Sequence, residues 1–157
     1  MRHAAIALLT SIVLASVAAS CGTAKRPDPA LTVKRYLSDL GAGRYTAACA
    51  ALTTEAKASL RENALSGFRA TAAAPAERLR QVQAAHRRAA SCEGAHAVAR
   101  DSPGGSAAIA TALRDLPQLS RSTIGPGGDH VTLGANGDWG LVHRDGRWLI
   151  EVDNVFP

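Results

Sequence analysis

Trp139-Gly140-Leu141-Val142-His143-Arg144-Asp145-Gly146-Arg147-Trp148-Leu149-Ile150-Glu151-Val152 decides the fold. Asp145-Gly146 is a strong two-residue hairpin signal, because the favoured hairpin turn needs positive φ at its central positions. With that pair as the turn, Arg144 faces Arg147, His143 faces Trp148, Leu141 faces Ile150 and Trp139 faces Val152. Directly paired residues share a face of the sheet. Trp139, Leu141, His143, Trp148, Ile150 and Val152 are therefore expected to form one apolar wall. The hairpin before it is set by the same logic. A two-residue Asn136-Gly137 turn would put Val131 and Leu133 on the opposite face. A three-residue loop, Ala135-Asn136-Gly137 with Gly137 left-handed, puts them with Trp139 and Leu141, and burial selects it. From Gln118 onward the chain reads as a curved antiparallel sheet with one apolar side.

Upstream the period changes to that of helices. Asp28-Pro29 reads as a helix start, with Asp as cap and Pro at the first position. Val33, Tyr36, Leu37 and Leu40 follow at i, i+3, i+4 and i+7, and Arg35 is placed to reach Asp39 one turn on. Gly41-Ala42-Gly43 ends that helix. Tyr45, Ala48, Cys49 and Leu52 repeat the spacing. Thr53 or Thr54 caps a third helix, with Leu60 inward and Ser66-Gly67 as its break. Pro75 opens the longest pattern, in which Val82, Ala85, Ala89 and Cys92 share a face and Arg78, Arg80, Arg87 and Arg88 face solvent. Ser102-Pro103-Gly104-Gly105 is a loop, and residues 107–116 read as helix. The expected fold class is α+β, with N-terminal helices packed on a curved C-terminal antiparallel sheet.

The N-terminus is of another kind. Met1-Arg2-His3 is a short positive start, residues 4–17 are uncharged, and Val17-Ala18-Ala19-Ser20 leads to Cys21. A positive n-region, an apolar h-region of about 7–15 residues and small residues before a cut make a secretory signal. With the cysteine directly after them, the stretch resembles a bacterial lipoprotein signal, in which that thiol takes the lipid; Ala18 departs from the pattern, standing where Leu is most usual. It stops short of the roughly 20 apolar residues that a spanning helix needs. The expected organisation is a signal peptide over 1–20, a polar tether over 21–28 and one α+β domain over 29–157. A membrane is then the first partner, reached through a lipid anchor on Cys21 at the extracytoplasmic face.

Charge and cysteine content fit that placement. Residues 21–120 carry 14 basic and 8 acidic side chains, and residues 121–157 carry 3 and 5. The basic half is expected to be a solvated helical surface. Nucleic acid is not an expected partner, since no aromatic residues interleave with the basic ones. With Cys21 lipidated, Cys49 and Cys92 remain as an even pair in an oxidising compartment, which reads as a disulfide. Two buried thiols are the alternative. A metal reading through His86, Cys92 and His96 matches no standard zinc spacing.

Tyr36-Leu37, Arg44-Tyr45-x-x-Ala48-Cys49-x-x-Leu52 and the ending Arg144-Asp145-Gly146-Arg147-Trp148-Leu149-Ile150 together resemble small actinobacterial lipoproteins with a nuclear transport factor two-like domain. The resemblance covers most of residues 29–153. It implies a cone-shaped α+β fold whose sheet curls around helices, and Cys92 sits where a second cysteine often occurs. It implies no activity, since this fold hosts isomerases, cyclases and inert accessory domains alike.

No Gly-x-Ser-x-Gly elbow, phosphate loop or complete metal-ligand set occurs in the sequence. The candidate pocket set is His143 and Trp148 on the sheet with Tyr36 and Tyr45 facing them from the helices. In catalytic members of the fold, an acid or a His inside the cone abstracts a proton while a Tyr stabilises the oxyanion. Here Glu151 is expected to point outward and Asp153 to lie near the strand end. The sequence therefore points to a non-catalytic, lipid-anchored domain without a cofactor, binding another envelope protein or an apolar ligand. The alternative is a small isomerase-like or cyclase-like enzyme with a pocket around His143.

Overall fold

Asp28 starts the first helix as its residue type requires. Its side chain accepts a hydrogen bond from the Ala30 N–H at 2.9 Å, and Pro29 occupies the first helical position. The computed structural model describes residues 26–115, 122–124, 128–134, 139–153 and 155. The signal stretch, Cys21 and the expected Ala135-Asn136-Gly137 loop lie outside them. Among the described residues six helices come first: α1 (Pro29–Gly41), α2 (Tyr45–Ala50), α3 (Thr54–Gly67), α4 (Pro75–Arg88), α5 (Cys92–Asp101) and α6 (Gly105–Arg114). The described strands follow, β1 (Ser122–Ile124), β2 (His130–Leu133), β3 (Trp139–Arg144) and β4 (Arg147–Asp153), in an antiparallel sheet of order β1-β2-β3-β4. The chain is α+β. No helix among the described residues is long and apolar enough to cross a membrane.

The hairpin turn forms at the expected place, with Asp145 and Gly146 both at positive φ. Arg144 pairs with Arg147, His143 with Trp148 and Leu141 with Ile150. Leu133 pairs with Trp139 and Val131 with Leu141, the register that puts both β2 residues on the apolar wall.

Beyond Leu141 the expected pairing fails. The register shifts between Gly140 and Leu141, so Val152 faces Gly140 and Trp139 faces Asp153. One extra residue on β4, Glu151, makes a β-bulge, and a bulge moves every later side chain to the other face. Val152 consequently leaves the wall and is 47% exposed. Gly140 permits this arrangement: a Cβ there would stand 3.1 Å from Val152 Cγ2. The wall is thus Val131, Leu133, Trp139, Leu141, Trp148 and Ile150, all buried, with His143 half-buried at its end.

Two corrections concern the helices. The pattern opened by Pro75 does not run to Cys92. Helix α4 ends at Arg88, and Ser91 caps a new helix by accepting from the Gly94 N–H at 3.0 Å. Asp39 pairs with Arg44 at 2.7 Å rather than with Arg35, because the short turn after α1 brings Arg44 back over the helix end.

The helices meet the sheet through α1, through α3 and through the linker between α2 and α3. Val33, Tyr36, Leu37 and Leu40 are fully or almost fully buried. The linker docks by backbone: the Ile150 N–H donates to Ala51 O at 2.8 Å, and the Thr53 N–H donates to Ile150 O at 2.9 Å. Leu52 thereby forms a parallel bridge with Ile150 on the outer edge of β4. Thr53 then caps α3, accepting from the Ala56 N–H at 3.1 Å.

Two glycines test the helix junction. A Cβ on Gly94 would lie 1.7 Å from the Arg88 carbonyl oxygen, whereas one on Gly67 would meet nothing within 4 Å. Gly94→Ala is expected to destabilise the protein by about 2 kcal/mol or more, as overpacking against fixed backbone does. Gly67→Ala is expected to stay within about 1 kcal/mol of the wild type. Urea denaturation of the two variants checks this, and equal midpoints would refute it.

Candidate functional site

Helix α5 begins at Cys92, so Cys92 and His96 stand at i and i+4 on one face of it. Helix α2 carries Cys49 and Tyr45 to the same place, and α1 supplies Tyr36. Cys49 and Cys92 are joined by a disulfide with Cα atoms 6.0 Å apart, closing a separation of 43 residues. In the chain-entropy account such a closure stabilises by about 4 kcal/mol.

His96 is fully buried. Its ring lies 5.7 Å from Tyr36, centroid to centroid, and 6.0 Å from Tyr45, nearly parallel to the latter. Tyr36 in turn meets Trp139 edge-on at 6.0 Å, which connects the cluster to the sheet wall. The Arg100 guanidinium lies 5.6 Å above the Tyr45 ring and pairs with Asp101. Burial pushes the His96 imidazole down to about 4, against a smaller upward pull from Glu93.

The expected pocket set divides between two places. Tyr36 and Tyr45 converge on His96. His143 pairs instead with Trp148, ring to ring at 5.0 Å. Around that second pair the chain is tied down by the start of the domain. The Trp148 indole N–H donates to Pro27 O at 2.7 Å, Arg26 pairs with Asp129 at 3.1 Å, and the His143 N–H donates to Asp129 O at 2.7 Å. The last residues of the expected tether, 26–28, therefore rest on the sheet.

The sequence groups His96 with His86 and Cys92. His86 is exposed on α4, and the partner brought to Cys92 and His96 is Cys49. The signal that would have found this is Ser91 as a helix cap, which fixes Cys92-x-x-x-His96 on one face. The arginines of α4 are exposed, as expected: Arg80 pairs with Glu77, Arg88 with Asp101, and Arg78 donates to the carbonyls of Ala72 and Ala73.

Two shallow clefts lie on the helical side. One, of about 150 Å³, is lined by Asn63, Ala64, Ala99 and residues 102–105. The other, of about 220 Å³, lies among Phe68, Gln81, Ala85, Arg88 and Val98. Comparison with protein-family models, with curated proteins and with solved structures finds no match to this chain.

The His96 environment predicts a pH dependence. The folded state holds the imidazole neutral down to about 4, while the unfolded chain protonates near 6.5. The unfolded state therefore binds the proton first, and stability is complete above about 6.5 and lost as pH falls toward 4. Between pH 7.5 and 5 the loss is expected to be about 2 kcal/mol. Burial raises Asp101 while hydrogen bonds from Arg100 and Arg88 outweigh it, so its contribution titrates below that window. Urea denaturation across the window checks the loss. A His96→Gln variant with an unchanged pH slope would show that another group is responsible.

Proposed function

We propose that the chain is a lipid-anchored extracytoplasmic domain of the bacterial cell envelope with a non-catalytic binding or accessory role. The observation that carries this reading is the positive, apolar and small-residue order of residues 1–20 ending at Cys21. The Cys49–Cys92 disulfide supports it, because such bonds persist in oxidising compartments. The filled contact between Tyr36 and Trp139 supports action through an outer surface rather than an interior cavity. The order of helices followed by a β1-β2-β3-β4 meander supports the cone-shaped, nuclear transport factor two-like reading of the fold.

Docking of Arg26 and Pro27 adds a geometric consequence. Five residue steps separate Cys21 from Arg26, which span at most about 17 Å. A lipid on Cys21 would hold the sheet end around Trp148 and His143 close to the bilayer. Partners that reach the domain from solution would then meet the helical side, where the two clefts lie.

One observation favours the second reading, a small isomerase-like or cyclase-like enzyme. His143 Nε2 is buried and has no hydrogen-bond partner among the described residues. A substrate polar group that completes that bond would give the imidazole a task. Isothermal titration together with a turnover assay on His143→Ala separates the readings: binding unchanged with no turnover by either protein supports the first, and turnover by the wild type that the variant loses supports the second.

Metabolic labelling with a fatty acid tests the anchor. The wild type is expected to take label and fractionate with membranes. Cys21→Ser is expected to take none and to be released, since each buried CH₂ of the acyl chains contributes roughly 0.8 kcal/mol of membrane affinity. An unlabelled wild type, or equal label in the variant, overturns the lipoprotein reading.

A further inference from the structure

We propose that Cys49, Cys92 and His96 form a redox-gated site for a thiophilic d10 cation, closed while the disulfide is intact and open once it is reduced. The ligand atoms of these three residues already lie within 4.8 Å of one another. Cys92 and His96 come from successive turns of one helix, and Cys49 comes from α2 across a Cα distance of 6.0 Å. Two sulfurs each about 2.3 Å from a cation lie roughly 4 Å apart. Once the bond between them is cut, the two sulfurs would part to that distance from helices whose Cα atoms stand 6.0 Å apart.

The surroundings suit such an ion. Cys92 is the first residue of the ten-residue helix α5, where the helix dipole favours a thiolate. His96 is fully buried beside the two sulfurs, so its imidazole lies within reach of an ion held there. Thiolates select soft or borderline cations, so Cu(I) and Zn(II) are the matching class. Among the described residues three donors converge, which satisfies Cu(I) directly, whereas Zn(II) would add a water as its fourth ligand.

The chemistry balances as follows. A dithiol reductant supplies two electrons and two protons and becomes its own disulfide, while the Cys49–Cys92 bond breaks to give two thiols. The cation then displaces both thiol protons to solvent and takes two thiolates with one imidazole nitrogen. Cys92 is partly exposed and Cys49 is buried, so a reductant would approach from the Cys92 side. None of these steps depends on lipidation of Cys21.

The test uses the full chain carrying Cys21→Ser, so that two cysteines remain. The protein is reduced with a phosphine, freed of it under nitrogen, and titrated separately with Cu(I) and Zn(II). One equivalent of either ion is expected to bind, with a thiolate-to-metal charge-transfer band in the ultraviolet for Cu(I). The oxidised protein is expected to bind at least 100-fold more weakly, and reduced His96→Gln at least tenfold more weakly. If the reduced protein loses its far-ultraviolet circular dichroism, adding the cation is expected to restore it, because metal binding then drives folding. Absence of stoichiometric binding by the reduced wild type, equal binding by the oxidised form, or failure to refold overturns the proposal. Unchanged affinity in a folded His96→Gln variant overturns the role of the histidine and with it the three-ligand site.

Discussion

The two backbone hydrogen bonds of Ile150 with the 51–53 linker hold the helical layer and the sheet in register. Ile150 sits in β4 with its side chain fully buried on the wall, so its outward backbone groups would be orphaned if the sheet ended there. Unpaired buried N–H and C=O groups are costly. Ala51 and Thr53 satisfy both, and this short parallel bridge fixes where α2 must stop and where α3 must start. The position of Thr53 then has a second consequence, since its side chain becomes the cap of α3. Cys49, two residues before Ala51, is thereby placed opposite the start of α5, where Cys92 waits for it. A local edge pairing in the sheet thus determines which helices the disulfide can join.

The wall is finished by one irregularity. Without the bulge at Glu151, Val152 would lie beside Trp139 on the buried face. With it, Val152 packs over Gly140 on the opposite side and Trp139 is left facing Tyr36. The Trp139–Tyr36–His96–Tyr45 chain of rings then runs from the sheet through α1 to the disulfide. Aromatic contacts of this kind favour edge-on or offset geometry and contribute beyond simple area burial. The imidazole in that chain is a polar group in an apolar place, and its burial is what depresses its protonation. The same cluster that completes the core therefore makes stability depend on pH in the acidic range.

Much of this was legible in the sequence because period and turn chemistry agree. Asp145-Gly146 marks the hairpin, Asp28-Pro29 marks one helix start and Thr53-Thr54 narrows another to two residues, and the Val33–Leu40 stripe marks the buried face of α1. What escaped depends on single residues that interrupt a period without erasing it. Apolar residues continue at helical spacing from Val82 through Ala85 and Ala89 to Cys92, which hides the end of α4. Ser91 and Gly94 carry the interruption: one caps α5, and the other leaves room for the Arg88 carbonyl. Gly140 similarly marked the bulge, since a glycine inside a strand leaves space for a neighbour to cross over. The pocket set of Tyr36, Tyr45, His143 and Trp148 was assembled from face assignments alone. Faces say which residues share a layer, and they do not say which rings meet within it.

The cysteine pair was legible for a different reason. Its assignment rested on compartment and parity, whereas its placement beside His96 rests on the short break between α4 and α5. Had α4 continued through Cys92, that sulfur would have projected from the end of a long helix with His96 beyond it. Restarting the helix at Ser91 puts the sulfur at a helix N-terminus and the imidazole one turn behind it. The break therefore gives one locus two functions that a continuous helix would have kept apart. It lets the disulfide tie α2 to α5, and it packs a titratable ring against the tyrosines that the tie holds in place.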